Sequence, residues 1–387
     1  MKKNLICVLF LLSFSYQAKA SREVDRLTEI VNINSGTANI KGVLAVQNKI
    51  KPWFEALGFH VSLVANPEGE KVSAPMLVAE MKGEKSDTIT FVMHADTVFE
   101  PSSSFQKITM KNEFIMNGPG TMDDKGGIVV VLKALEDYLV KNPKPKYSLR
   151  ILVSPNEEVG SIGWWNSFHK YSESSWLVLG LEPGHDDYGI VQGRKGNIWY
   201  EINVKGKESH AGRDHKEGVN ACQILATKMM EIQKLTNYKK SITTSVGRIE
   251  GGQDKYNIVC GWAKAKVDVR VPDLQSYKEV TKKMQAILKD PNITFTITDE
   301  TPAFNVNKIS RPVIQQYLKA IEKVEGRKVI SHVSGGVGDV NHFSREGVII
   351  MDGLGPVGGH AHTENEFLDL RTIDTRANVL THFLQGL

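Results

Sequence analysis

Cysteine is scarce in this chain, with three residues among 387, at positions 7, 222 and 260. None of their spacings fits the Cys-X-X-Cys pattern of a zinc or redox motif, and Cys7 falls in the apolar N-terminal segment. The remaining two are too few for a disulfide framework in a chain of this length. We therefore expect Cys222 and Cys260 to be buried free thiols.

Long apolar runs are lacking beyond the N-terminus. The chain begins with a short basic segment, continues through the apolar stretch from Leu5 to Phe14, and reaches Ala18-Lys-Ala20. This is the pattern of a secretory signal peptide, so we expect cleavage after Ala20 and a secreted or periplasmic protein. The stretch is too short to span a bilayer and no later segment is long and apolar enough, so we expect no membrane anchor.

A large excess of one charge is lacking as well. The chain has 48 Lys and Arg against 44 Asp and Glu, a formal net charge of +4. Removal of residues 1–20 takes away three lysines and no acid, which leaves +1. A nucleic-acid-binding protein would normally present a concentrated basic stripe, whereas these cations are spread among the acids. We therefore expect no nucleic-acid partner.

Two patterns of alternation divide the chain. From Val24 to about Asp187, amphipathic helices alternate with short apolar runs, which predicts a mostly parallel sheet covered by helices. From 192 to 303 the predicted order is strand, helix, strand, strand, helix, strand, as in a ferredoxin-like fold. The sequence thus predicts an α/β catalytic domain formed by 21–191 and 304–387, with an inserted α+β domain at 192–303.

Ligand-type side chains follow the predicted strands of the first pattern. His94 closes one strand, and Asp96 is placed to accept a hydrogen bond from its ring and fix the tautomer. Glu157 and Glu158 follow another strand, and Glu182 ends a further apolar run. Two adjacent carboxylates in a cleft require a nearby positive charge, for which a metal ion is the first candidate.

Two glycine-rich loops carry further ligand-type residues. Asp123 lies in a loop that leads into a helix, where a simple N-cap is the ordinary alternative. His360 and His362 lie in a late loop, where a solvated turn is the alternative. Together with the strand-end residues, they form a nitrogen and oxygen set that suits Zn²⁺, with enough carboxylates to bridge two ions.

The paired glutamates also suggest a division of roles. Metal-assisted hydrolysis needs a base that takes a proton from water and is not itself a ligand. Consecutive strand residues point to opposite faces, so we expect only one of Glu157 and Glu158 to be a ligand. The pair is therefore interpreted as base plus ligand, and residue chemistry alone leaves open which is which.

Four motifs carry a family resemblance. They are H-X-D-T-V from His94, G-P-G-X-X-D-D-K-G-G from Gly118, N-E-E from Asn156 and H-T-X-N-E-F from His362. In this order and spacing the chain resembles the co-catalytic zinc exopeptidases and amidohydrolases, which include bacterial glutamate carboxypeptidases, aminoacylases, peptidase T and succinyl-diaminopimelate desuccinylase. The D-D-K-G-G form is most similar to the glutamate carboxypeptidases. The resemblance covers essentially the whole mature chain and implies a three-layer zinc-exopeptidase-type domain with a ferredoxin-like insertion.

The resemblance also implies a site with two Zn²⁺ ions per subunit. Its ligands would be His94 and Glu182 on one ion, Glu158 and His362 on the other, and Asp123 between them. Glu157 would be the general base and Asp96 would orient His94, while His360 is the less favoured alternative to His362. A cis peptide between Asp123 and Asp124 is implied as well. The same ligand set also suits Co²⁺ or Mn²⁺.

Within the inserted domain, the resemblance implies residues that contact the substrate. His210, in Gly206-Lys-Glu-Ser-His-Ala-Gly212, matches a histidine that assists at the scissile carbonyl, often from the partner subunit of a dimer. Asn257 and Arg270 match positions that hold the substrate carboxylate or carbonyl. We therefore expect a homodimer through the inserted domain. The basic pair Arg194-Lys195 departs from the family pattern, either as a solvated hinge or as a contact for an acidic substrate.

These observations predict dizinc-dependent hydrolysis of an amide bond that releases a C-terminal amino acid, with glutamate favoured, from a peptide or N-acyl amino acid. One alternative is an N-acyl amino acid deacylase or dipeptidase with the same site. A more remote alternative is a metal-dependent binding protein without catalysis. Such a protein would be expected to have lost the base or a ligand, and every position is filled here.

Overall fold

The computed structural model describes residues 22–387. The predicted signal peptide and its cleavage after Ala20 lie outside this range. Among the described residues, no helix combines the length and the apolar character needed to cross a membrane.

Helices and strands follow one another through the whole described range. In chain order the helices are α1 (22–31), α2 (Ile40–Glu55), α3 (Lys125–Lys141), α4 (Trp165–Ser172), α5 (Ala221–Gln233), α6 (Leu274–Ile287), α7 (Ser310–Glu325) and α8 (Arg371–Gln385). The strands are β1 (His60–Val64), β2 (Met76–Met81), β3 (Lys85–His94), β4 (Thr109–Met110), β5 (Ile115–Asn117), β6 (Tyr147–Ser154), β7 (Ser175–Gly180), β8 (Ile190–Arg194), β9 (Gly196–Lys205), β10 (Thr243–Gly251), β11 (Trp262–Val271), β12 (Ile293–Thr301), β13 (Ser331–Ser334), β14 (Ile349–Met351), β15 (Gly358–Gly359) and β16 (Phe367–Asp369).

The chain divides into two compact units. The described part of the first unit comprises residues 22–192, Val306–His332 and Gly338–Leu387. The second comprises Gly193–Asn305 together with the short segment Val333–Val337. The division made from sequence placed the segment Val333–Val337 in the catalytic domain, whereas the structure assigns it to the second unit. Each unit has its own apolar core.

A six-stranded sheet forms the centre of the first unit, in the order β1-β2-β6-β3-β7-β14. The strands β6, β3, β7 and β14 are parallel to one another, whereas β2 pairs antiparallel with both β1 and β6. This confirms the predicted α/β class. The carboxyl ends of parallel strands meet at one edge of a sheet, so the residues that follow β3, β6 and β7 come together there.

Helices cover both faces of this sheet and produce three layers. Phe91 and Ile151 share one core cluster with residues of α2, α3, α7 and α8. Their neighbours Val92 and Leu152 are equally buried but point to the other face. There, α4 and the short 3₁₀ segment 339–343 pack on one another and on β7. Burial on both faces explains why these strands are continuously apolar in sequence.

A smaller antiparallel sheet in the first unit has the order β15-β16-β5-β4. The register pairs Phe367 of β16 with Asn117 of β5. The glycine-rich loop after β5 therefore lies beside the late loop between β15 and β16. In this way two motifs far apart in sequence, around Asp123 and His362, reach the same edge of the unit.

The second unit is an antiparallel sheet of order β10-β11-β9-β12 with the helices α5 and α6. Along the chain the order is β9, α5, β10, β11, α6, β12, so the predicted ferredoxin-like arrangement is confirmed. The side chains of β11 alternate strictly between exposed and buried over most of its length. The buried set, including Val267 and Val269, packs with Leu225 of α5 and Met284 of α6.

The prediction for the cysteines is wrong. Cys222 and Cys260 form a disulfide, with Cα atoms 5.7 Å apart, and neither residue is fully buried. The start of α5 runs beside the segment that enters β11, as the hydrogen bond from the amide of Ala221 to the carbonyl of Cys260 shows (2.9 Å). A separation of 38 residues along the chain concealed this proximity.

Candidate metal centre

The imidazole of His94 is held from both sides at the end of β3. Its Nδ1 lies 3.3 Å from Asp96 Oδ1, and its Nε2 lies 3.0 Å from Asp123 Oδ1. A carboxylate of Glu182, which follows β7, is 3.7 Å from the same Nε2. His94 and Asp96 are almost completely buried. The ring is thus oriented by Asp96 on one side and presents its other nitrogen to two carboxylates.

Asp123 lies between two histidines. Its Oδ1 faces His94, and its Oδ2 is 3.2 Å from Nε2 of His362. The same nitrogen of His362 is 3.1 Å from Glu158 Oε2. His360, by contrast, has its ring beside Phe367, with centroids 6.0 Å apart. The peptide bond from Asp123 to Asp124 is cis, as the resemblance implied.

Glu157 and Glu158 do not end a strand. The strand β6 stops at Ser154, and the two glutamates lie in a 3₁₀ turn, Glu157–Val159. The expectation that their side chains diverge as consecutive strand residues was therefore wrong in its reason. The turn is held because Asp96 accepts hydrogen bonds from the amides of Glu157 (3.0 Å) and Glu158 (3.3 Å). Thr37 donates a further bond to Asp96 (2.6 Å).

The charges of the site are strongly coupled. Hydrogen bonds to Asp123 and Glu158 raise the pKa of His362 to about 11, although partial burial acts against the cation. Burial opposes protonation of His94 too, yet Asp123 and Asp96 hold its pKa well above the ordinary value. For Asp123, burial disfavours the charged form, but both imidazoles together lower its pKa. Without a metal, a proton on His362 therefore offsets part of the negative charge of the carboxylates.

Glu157 differs from its neighbour in its electrostatic surroundings. Burial is the main cause that raises the pKa of Glu157 well above its ordinary value, and the nearby Glu182 raises it further. Glu158 also has a raised pKa through burial, but its hydrogen bond with His362 counteracts that shift. Glu157 thus has the higher proton affinity expected of a general acid and base, and Glu158 is engaged with an imidazole.

Asp124 is a buried carboxylate that the sequence interpretation did not single out as a ligand. Neither of its oxygens has a hydrogen-bond partner among the described residues. A ligand atom of Asp124 lies within 4.8 Å of ligand atoms of His94 and Glu182. Gly127 leaves room for it, since a Cβ there would lie 2.1 Å from Asp124 Oδ1. An uncompensated buried carboxylate is costly, so a cation beside it would be stabilising.

The donor set fits divalent metal ions. Two imidazole nitrogens and several carboxylate oxygens converge from separate loops, with one aspartate facing both histidines. Nitrogen and oxygen ligands of this kind suit Zn²⁺, and a shared carboxylate is typical of sites with two ions. Cations at this position would partner the unpaired oxygens of Asp124 and the carboxylates that face His94 and His362.

Glu366 holds the loop that carries Asp123. Its buried carboxylate accepts hydrogen bonds from the amides of Gly120 (3.1 Å), Met122 (2.9 Å) and Asp123 (3.3 Å). Burial raises the pKa of Glu366 to about 7. Glu366 is the glutamate of the H-T-X-N-E-F motif, and its role in fixing the loop was not predicted from sequence.

Asp339 was missed altogether. Its buried carboxylate accepts hydrogen bonds from the hydroxyls of Ser154 (2.5 Å) and Ser161 (2.5 Å), which stand on either side of the glutamate turn. Burial raises the pKa of Asp339 to about 6. The only sequence signal was its position after Gly335-Gly-Val-Gly338, a glycine-rich turn like the one that precedes Asp123.

The residues predicted to contact substrate lie in the second unit. Nδ1 of the exposed His210 accepts hydrogen bonds from the amides of Gly212 (3.1 Å) and Arg213 (3.2 Å). Asn257 is exposed, and its carbonyl accepts a bond from the amide of Ala211 (3.0 Å). The two segments therefore lie side by side, joined by an isolated antiparallel bridge between His210 and Ile258.

Two arginines of the second unit that the sequence analysis singled out, Arg270 and Arg194, contact polar side chains. Nε of Arg270 is 3.0 Å from both carboxylate oxygens of Asp268, two residues before it on β11. Arg194 is buried, and its guanidinium is 3.4 Å from the hydroxyl of Ser334. The interpretation of Arg194 as part of a solvated hinge is therefore wrong.

Known proteins resemble the chain in sequence and structure. The model of Peptidase family M20/M25/M40 matches residues 90–386. Carboxypeptidase G2 of Pseudomonas sp. (strain RS-16) is 24% identical over 379 residues, 94% of this chain and 89% of that protein. The aminopeptidase PepT structure from Bacillus cereus ATCC 10987 has a TM-score of 0.76 at 22% identity, covering 95% and 98% of the two chains. The Bacillus subtilis YXEP protein, a dinuclear metal binding peptidase from the M20 family, has a TM-score of 0.68 at 14% identity with the same coverage. Structural likeness at these identities concerns the fold.

Proposed function

This chain belongs to Peptidase family M20/M25/M40 and is a hydrolytic enzyme, and on that premise we propose that it releases a C-terminal amino acid by amide hydrolysis at a site with two divalent metal ions. The substrate would be a peptide or an N-acyl amino acid, with glutamate as the favoured residue released. Zn²⁺ is the favoured metal, and Co²⁺ or Mn²⁺ would suit the same ligands.

The observation that carries the proposal is the position of Asp123. Each of its carboxylate oxygens faces a different histidine, and each histidine has its own glutamate beside it. His94 and Glu182 would hold one ion, His362 and Glu158 the other, and Asp123 both. Likeness to a dinuclear metal binding peptidase supports the count of two.

Glu157 is the residue proposed to move the proton. When bound, the ions would polarise the substrate carbonyl and lower the pKa of water. Glu157 accepts the proton that water loses as its oxygen attacks the amide carbon. Its raised pKa then allows the carboxyl group to keep that proton until it is donated to the nitrogen of the departing amine. Asp96 keeps Glu157 in place through the amide of the turn.

The second unit would supply recognition of the substrate. His210 would donate a hydrogen bond to the carbonyl oxygen as negative charge develops there, from its own or the partner subunit. Asn257 and Arg270 would bind the terminal carboxylate, to which a guanidinium can donate two parallel bonds. Similarity to a carboxypeptidase supports release of the C-terminal residue.

The protein would form a homodimer through the second unit and would lie outside the cytoplasm. Trp199, Ile249 and Tyr256 expose much of their apolar surface on that unit, which favours a protein contact. The disulfide between Cys222 and Cys260 favours an oxidising compartment, since disulfides persist there and are rare in the cytosol. Light scattering during size-exclusion chromatography should give twice the chain mass, and a monomer would overturn the dimer.

A panel of substrates tests the reaction. The purified protein would be stripped of metal, reloaded with Zn²⁺ and assayed with peptides and N-acyl amino acids that differ only in their C-terminal residue. We expect amide cleavage that depends on Zn²⁺ and is fastest with C-terminal glutamate. Amidated C-termini should be cleaved much more slowly, because Arg270 would lose its partner. Equal rates with free and amidated termini would contradict carboxypeptidase action.

A further inference from the structure

A second group of metal-binding side chains lies outside the candidate metal centre, in the first unit. Nδ1 of His185 is 3.0 Å from Asp187 Oδ1, and Nε2 of His332 is 3.0 Å and 2.9 Å from the two oxygens of Asp187. The two imidazole rings stack with their centroids 3.8 Å apart. The ligand atoms of the three residues lie within 4.8 Å of one another, close enough to share one ion once the stacked rings turn apart.

The loop that carries His185 and Asp187 is closed on itself. The amide of Tyr188 donates to the carbonyl of His185 (2.7 Å), and the amide of His185 donates to the carbonyl of Gly189 (3.3 Å). The amide of Gly189 also donates to Asp187 Oδ1 (2.8 Å), which fixes that carboxylate. The backbone therefore orients the carboxylate of Asp187, and a metal ligand is commonly oriented by such a hydrogen bond.

His332 approaches this loop closely because residue 189 is glycine. A Cβ at Gly189 would lie 2.8 Å from Cδ2 of His332 and 2.4 Å from the carbonyl oxygen of Ile330. Any larger residue would separate β13 from the loop and move the imidazole away. The close packing of the three side chains is thus built into the sequence at this position.

We propose that His185, Asp187 and His332 form a separate binding site for a divalent transition-metal ion, with Zn²⁺ as the favoured occupant. Two imidazoles and one carboxylate are the protein ligands of many zinc sites that keep a further position open. The nitrogen-to-oxygen distances of 2.9–3.0 Å are close to those in the candidate metal centre, where they are 3.0–3.2 Å.

The charge and donor types of the cluster suit a divalent ion, since it offers one carboxylate and two imidazole nitrogens. A metal ion accepts lone pairs from two neutral imidazoles and pairs with the carboxylate at the same time. Bound there, it would tie the loop between β7 and β8 to β13. Glu182 lies three residues before His185, so the same ion would restrain the segment that leads away from that glutamate.

The test compares metal binding in two double variants. H185A/H332A removes both imidazoles, and H60A/H169A removes two exposed histidines from β1 and α4 as a matched control. Metal-stripped proteins would be titrated with Zn²⁺ by calorimetry, and bound zinc would be counted by mass spectrometry after gel filtration. We expect wild type and H60A/H169A each to retain one more Zn²⁺ per chain than H185A/H332A.

Further readouts separate this site from the catalytic proposal. D187N keeps both histidines and should weaken the extra site without removing the others, and Zn²⁺ should raise the melting temperature less in H185A/H332A than in wild type. Equal zinc content in wild type and H185A/H332A, or extra zinc lost from all proteins on gel filtration, would overturn the inference. The measured quantity is a difference of one zinc ion per chain between wild type and H185A/H332A. This difference does not depend on whether the protein hydrolyses amides.

Discussion

At the scale of single residues, Glu157 and Glu158 are neighbours with different surroundings. Glu158 lies 3.1 Å from His362, whereas the pKa of Glu157 is raised by burial and by Glu182. We predict that E157Q binds Zn²⁺ as wild type does but loses about 10²–10⁴-fold in kcat, the contribution typical of a general base. Steady-state kinetics and zinc content of the same preparation would measure both.

The matched control is E173Q, the same isosteric change at an exposed glutamate after α4. It should leave both kcat and zinc content unchanged. E158Q should lose zinc, whereas E157Q should retain it. If E157Q retained turnover close to that of wild type, Glu157 would not be the base.

Protonation of His362 makes metal binding depend on pH. The pKa of His362 is raised to about 11, so this imidazole is protonated near neutral pH in the metal-free protein, and the pKa of His94 is raised as well. An ion must displace this proton, and Zn²⁺ affinity should therefore rise with pH and fall as the solution becomes acidic.

Calorimetry in buffers of different ionisation enthalpy would count the protons released on Zn²⁺ binding. We expect net release near neutral pH, and less release in H362A than in wild type. The exposed H60A variant should release as many protons as wild type. A binding heat that is independent of the buffer would contradict the charge state derived for the site.

At the scale of elements, the glutamate turn after β6 is held at both ends. Asp339 accepts hydrogen bonds from Ser154 and Ser161, while Asp96 accepts the amides of the turn itself. D339N would leave one acceptor oxygen for two hydroxyls. We predict that kcat falls about tenfold, equivalent to ~1.4 kcal/mol, with little change in KM, because the base is displaced and binding is not.

Variants that each lack one hydroxyl partner of Asp339 distinguish a role in positioning the glutamate turn from a general loss of stability. S154A and S161A should each have a smaller effect on kcat than D339N, in the same direction. D87N changes an exposed aspartate of β3 and serves as the control. An increase in KM without a change in kcat would assign Asp339 to binding rather than to the position of the turn.

The elements also show what the sequence could reveal. The alternation of helices with apolar runs was predicted from sequence, and α3 and β2 are two elements of that pattern. Strands of two or three residues, such as β5 and β16, have no periodicity of their own, and only their pairing places Asp123 beside His362. Contacts of this kind join distant segments, and for the same reason Asp339 and the disulfide were missed.

At the scale of the whole molecule, two units with separate apolar cores predict separate unfolding transitions. The candidate metal ligands lie in the first unit and the disulfide lies in the second. Metal binding should therefore stabilise the first transition, and loss of the disulfide should destabilise the second. Scanning calorimetry of the full chain can follow both in one experiment.

The effect of the disulfide on the second unfolding transition can be predicted in magnitude. It joins residues 38 apart, and the reduced chain entropy of a loop of that length corresponds to about 4 kcal/mol. The second transition should melt at a lower temperature in C222S/C260S than in wild type. Reductant should lower this melting temperature in wild type and should have no effect on the variant. Removal of Zn²⁺ should lower only the first transition. A single transition that responds equally to reductant and to metal removal would show that the two units unfold as one.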